Sequence, residues 1–186
     1  MEPIDSQLNH AVLRGRARRA YELGRFQHGL EAAWLAVPMV ALGLVVTTRP
    51  LLSLVAGCAL CALAVGLRWR GGAVGRAVMP ALIAGLPPLV LPLCMRMGGH
   101  CCVGGMCWSF CMVGCITGGA AAGVMVGLAS AAEREQRGAF LLAATAVAGS
   151  AGVLGCALAG SSGMAGMALA VLATSWPVAW LSRARA

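Results

Sequence analysis

The chain has 186 residues, 60% of them in the apolar set from alanine to cysteine, before its 26 glycines are counted; a soluble domain holds about 45 to 50% with glycine included. Formal charge is confined to 14 arginines and six carboxylates, with no lysine, for a net charge of +8. This composition excludes an ordinary water-soluble globule, and the bunched charges leave uncharged runs long enough to cross a bilayer.

Residues 1–29 form a polar, basic segment carrying Arg14, Arg16, Arg18, Arg19 and Arg25. The stretch from Leu8 to His28 suits a helix with Leu13, Ala17, Tyr21 and Gly24 down one side, expected to lie on the cytoplasmic surface against anionic headgroups and to set topology. It is longer than the charged region of a signal peptide. The first apolar run then ends in Thr47-Thr48-Arg49-Pro50 rather than at a small-residue cleavage site, so it is expected to stay as the first span.

A helix rises about 1.5 Å per residue and a hydrocarbon core is about 30 Å thick, so a span needs roughly 17 to 25 residues without charge. Uncharged runs of 17, 18 and 19 residues separate Glu31 from Arg49, Arg49 from Arg68, and Arg76 from Arg96. Each holds one span. The 36 residues between Arg96 and Glu133 begin rich in Gly and Cys, which suits a polar-side loop followed by one helix. The 45 uncharged residues from Gly138 to Ser182 exceed two crossings and require a turn, expected at Gly160-Ser161-Ser162-Gly163.

The expected fold is therefore an all-α integral membrane protein with six transmembrane helices, at about 30–48, 51–67, 77–93, 108–129, 138–159 and 164–181, paired as three hairpins (30–67, 77–132, 138–182) and followed by a tail at 183–186. A transmembrane barrel would alternate apolar and polar residues over short strands, whereas these runs are apolar on every side. With both termini cytoplasmic, twelve arginines fall on the cytoplasmic side and only Arg49 and Arg96 outside. That is the positive-inside pattern. It accounts for the basic balance without nucleic acid, which has no soluble domain to meet. The usage of Arg, Ala and Gly points to a bacterial cytoplasmic (inner) membrane.

Apart from Glu31 at the edge of the first, no Asp, Glu, Arg or His falls inside an expected span. Proton relays and many ion-coupled transporters place ionisable groups there, and an intramembrane protease needs a Ser-His pair or two carboxylates. Without a lysine there is no phosphate-loop lysine either. The expected activity is non-enzymatic, and any chemistry falls to sulfur.

Six of the nine cysteines lie between Cys94 and Cys115, from the outer loop into the fourth span. Thiolate and thioether ligands select Cu(I) and similar ions, with imidazole as a further ligand. The expected metal site uses Cys101, Cys102 and Cys107, with His100, Met97, Met106 and Cys111 as secondary ligands; Cys156, Met164 and Met167 lie at the same depth. Cys107, Cys111 and Cys115 recur every four residues and form one slowly drifting helical stripe. Two other readings stand beside this one. The cysteines pack between helices or form ordinary disulfides, or they carry thiol-disulfide chemistry in an oxidising compartment. The spacing matches neither paired zinc motifs nor iron-sulfur runs. The one C-x-x-C, Cys58 with Cys61, sits midway through the second span, where a thiolate is poorly solvated, and is read as packing.

Pro80, Pro87, Pro88 and Pro92 crowd the third span and leave the carbonyls of Ile83, Ala84 and Pro88 without helical partners, so a kink or break is expected next to the sulfur-rich segment. Gly119, Gly123 and Gly127, with Gly114 and Gly118 beside them, and Gly149, Gly152 and Gly155 form ridges that let helix backbones approach closely, within the chain or towards another copy or membrane partner. Trp176 and Trp180 beside Arg183 and Arg185 read as an interfacial anchor.

Overall fold

A computed structural model describes residues 4–46, 50–97, 107–133, 135–156 and 160–184, and among them there is no strand. Seven α-helices follow in order: α1 (Ile4–Val46), α2 (Pro50–Arg70), α3 (Gly72–Ala84), α4 (Leu86–Met97), α5 (Cys107–Ala129), α6 (Arg137–Cys156) and α7 (Gly160–Ala184), with a 3-10 turn at Ser130–Ala132. Six stretches are long and apolar enough to cross a membrane: Leu13–Val45, Pro50–Arg70, Gly72–Met95, Met112–Ala132, Arg137–Cys156 and Gly163–Ser182. Charge spacing alone predicts that number, because a charged side chain at bilayer depth costs several kcal/mol and so marks where a helix must leave.

The third stretch is α3 and α4 together, divided at Gly85. Pro87 and Pro88 cannot donate to Ile83 and Ala84, so the helical ladder lapses where those bonds would form. Pro80 and Pro92 stay inside α3 and α4. The break is therefore local, and Gly85 closes it by donating to the Ala81 and Leu82 carbonyls at 2.9 and 3.1 Å.

Two expectations are corrected. The basic segment is not a separate surface helix: α1 runs 43 residues without interruption from the basic stretch into the first span, about 64 Å at 1.5 Å per residue. Its only internal proline is Pro38, so nothing between Leu8 and Trp34 turns the chain. Nor do Gly160–Gly163 form the expected turn: they are helical and belong to the start of α7, which runs Gly160–Ala184. The Gly/Ser cluster thus lies in the first turn of a helix rather than between two.

Glycines decide which helices touch. A Cβ on Gly118 would lie 2.6 Å from Pro88 Cα, and one on Gly155 would lie 2.5 Å from the Pro88 carbonyl oxygen, so α4 lies directly on the backbones of α5 and α6. Along α5, Gly119 faces Met167, Gly123 faces Val171 and Ser175, and Gly127 faces Val178. Rising numbers meet rising numbers, so α5 and α7 run parallel, and this is the most extensive helix pair in the molecule. The Thr174 hydroxyl adds a bond across it to the Ala120 carbonyl at 3.2 Å. The α5 ridge is thus filled within the chain, whereas Gly149 has open space beside it.

α6 is the most enclosed span, 61% buried, followed by the α3–α4 stretch at 50%; α2 and α7 are each 22% buried. Large apolar side chains such as Trp34, Val45, Leu51 and Leu172 face outward. An apolar exterior around an apolar core is what contact with a lipid bilayer requires.

Candidate soft-metal and thiol site

Sulfur gathers at one end of the bundle. There α4 ends at Met97, α5 begins at Cys107, α6 ends at Cys156 and α7 begins at Gly160. Of the expected ligands, His100, Cys101, Cys102 and Met106 lie outside the described residues. The backbone of Met97 closes α4, and those of Cys107 and Cys111 lie in the first turns of α5; their side chains also fall outside what is described.

The next member of the α5 stripe is Cys115, fully buried against α6. Its thiol shares a hydrogen bond with that of Cys156, the last residue of α6, which is also fully buried. Neither is in a disulfide. Gly118 of α5 and Gly155 of α6 both abut Pro88, so the two helices that carry these thiols are seated on the same residue of α4.

A third sulfur sits one turn deeper. Met167 on α7 is fully buried, and a Cβ at Gly152, four residues before Cys156, would lie 2.8 Å from its sulfur. Met95 on α4 and Met112 on α5 are half-buried nearer the end of the bundle; Met95 packs beside Gly114 and the Met112 methyl beside Gly166. Thiol, thiol and thioether thus come from three different helices. Among the described residues, no group of three or more His, Cys, Asp or Glu is close enough to hold a metal ion, so any soft site here draws on methionine or on the 98–106 link.

The remaining cysteines are placed apart. Cys58 is exposed and Cys61 half-buried midway along α2, and Cys94 is exposed on α4. The Cys115–Cys156 pair is not legible in the sequence: one residue is the third member of a four-residue stripe and the other lies at matching depth, but which face of α5 meets α6 is set by how both pack on α4 and α7.

The opposite end of the bundle carries charge. The Arg76 guanidinium makes a forked pair with Glu133, donating to both carboxylate oxygens at 2.8 to 3.0 Å, and thereby links the start of α3 to the segment after α5. Arg137 donates to the Ser130 hydroxyl at 3.3 Å and to that of Ser182 at 2.5 Å. Comparison of the chain with family models, curated proteins and solved structures returned no match.

Proposed function

We propose that the chain is a multi-pass protein of a bacterial cytoplasmic (inner) membrane, with both termini in the cytoplasm, that binds or passes a thiophilic ion such as Cu(I) from the opposite face. Cys101, Cys102 and Cys107 are its first ligands, with His100, Met97, Met106 and Cys111 around them. The role is non-enzymatic. The observation that carries the reading is the contact between Cys115 and Cys156, two buried thiols from different helices at the end of the bundle where the sulfur-rich link joins. Two thiolates facing each other suit the low coordination number of Cu(I), and soft ligands select that ion over Zn(II) or hard cations. Met167 one turn below adds a buried thioether to the pair.

A second reading, in which the thiols only pack the helices, is supported by the same burial, since cysteine behaves as a small apolar residue. One experiment separates the two. Full-length protein purified under anaerobic conditions in detergent is titrated with Cu(I) against a chromophoric chelator. The proposal expects retention of the ion, lost on Cys101→Ser with Cys102→Ser and weakened by Cys115→Ser with Cys156→Ser. Because bound thiols must lose their protons, retention should fall as pH is lowered. Failure of the fully reduced protein to compete with the chelator leaves the packing reading standing.

A further inference from the structure

At the arginine-rich end, α2 turns into α3 through Gly71 and Gly72, both with positive φ (72° and 62°). Such a corner needs glycine, because side chains with a Cβ rarely adopt that conformation. Beside it lies a pocket of about 280 Å³ whose polar walls come from three helices: Arg25 and His28 of α1, Arg68 of α2 and Arg76 of α3.

The charges in this pocket are unevenly matched. Arg76 is paired with Glu133, and His28 has Glu31 at 3.3 Å. Arg25 and Arg68 have no carboxylate partner among the described residues: one nitrogen of Arg25 donates to the carbonyls of Trp69 and Arg70 while its guanidinium lies 5.6 Å from the Tyr21 ring centroid, and Arg68 donates to the Gly75 carbonyl at 3.1 Å. Each guanidinium has five N–H donors in a planar fork, so both keep donors unused by these bonds. The first turn of α3 opens on the same pocket, with Ala73 and Val74 preceding its first helical bond, from Gly75 N–H to the Gly71 carbonyl.

Depth is fixed by the spans. The corner joins the end of Pro50–Arg70 to the start of Gly72–Met95, so it sits where two membrane-crossing helices emerge. Phe26 and Trp69 stack edge to face beside it, centroids 6.3 Å apart, and both are about half exposed. Aromatic rings of this kind favour the headgroup level.

We propose that the α2–α3 corner is a binding pocket for a phosphate ester, held by the Arg25 and Arg68 guanidiniums at the membrane surface. Phosphate matches the planar fork of arginine and carries the charge these two side chains lack. The same chemistry is offered by an anionic phospholipid headgroup and by a small soluble phosphate. The proposal stands independently of the metal reading, which concerns the other end of the bundle.

The test uses full-length protein in nanodiscs. One arm compares phosphatidylcholine with a phosphatidylcholine–phosphatidylglycerol mixture, reading the thermal midpoint and the phospholipid retained in native mass spectra. The other adds inorganic phosphate to phosphatidylcholine nanodiscs against chloride at equal ionic strength. A rise in midpoint in the first arm identifies lipid as the source, and one in the second identifies soluble phosphate; either supports the pocket. Arg68→Gln, which keeps a donor for the Gly75 carbonyl, should weaken the responding ligand by about tenfold, the scale of one charge-assisted bond. Arg18→Gln, an exposed arginine paired with Glu22, should leave it unchanged. Arg25→Gln also releases two helix-end carbonyls, so Arg68→Gln decides if that variant does not fold. No response in either arm, or equal loss in Arg18→Gln and Arg68→Gln, overturns the proposal.

Discussion

A Cβ on Gly155 would lie 2.5 Å from the Pro88 carbonyl oxygen and 2.7 Å from Leu89 Cα, both backbone atoms that no rotamer change can move aside. Gly155→Val should therefore destabilise the bundle by roughly 1 to 3 kcal/mol, the usual cost of overpacking, read as a lower thermal midpoint in detergent; an unchanged midpoint would mean that α4 and α6 do not touch there. Gly149, with open space beside it, supplies the control, and Gly149→Ala should be neutral or mildly stabilising. Thr174 is a gentler probe. Its hydroxyl already bonds Ala170 within its own helix at 2.7 Å besides reaching Ala120 across to α5, so Thr174→Val should cost about 0.6 kcal/mol, as such interhelical bonds do on average in membranes. The Arg76–Glu133 fork joins a guanidinium 62% exposed to a carboxylate only 14% exposed, so Arg76→Gln, which leaves that carboxylate without its cation, should cost about 1 to 3 kcal/mol, read as a lower thermal midpoint.

Among the elements, the α3–α4 stretch ties sequence to packing most closely. Four prolines predict a lapse in its helical ladder, and the lapse comes at Gly85, just ahead of Pro87 and Pro88. What the sequence does not indicate is that Pro88 then becomes the contact point for both α5, at Gly118, and α6, at Gly152 and Gly155. Pro88→Ala would restore a helical donor yet empty a fully buried site, and the two effects oppose each other. Loss of packing should win, since a cavity costs about 24 cal/mol per Å³ whereas one added backbone bond is worth about 1 kcal/mol; thermal unfolding of the variant against wild type decides the sign. α1 shows the reverse relation. Its basic half and its apolar half read as two elements because their compositions differ, but composition alone does not break a helix, and with no proline between Ile4 and Pro38 the helix continues unbroken. The closure of Arg25 on the carbonyls of Trp69 and Arg70 then holds that extension against the end of α2.

For the molecule as a whole, six spans require both termini on one side and the 98–106 link on the other. Reporter fusions at residue 186 and within that link should give opposite signals, with the terminal one cytoplasmic if the twelve arginines set the orientation; matching signals would remove the compartment on which the soft-metal proposal depends. The number of stretches able to cross a membrane was legible in the sequence because charge and hydrophobicity are properties of single residues set against a fixed bilayer thickness. The partners of those helices were not. A glycine ridge declares that something approaches closely, but α5 carries glycines on two faces, towards α4 and towards α7, and only the folded chain decides which ridge receives which neighbour. The same holds for sulfur. Its concentration near one end is written in the chain, whereas the meeting of Cys115 with Cys156 follows from three helices converging on Pro88 and Met167, because contact between distant residues depends on the shapes of all the surfaces that pack around them.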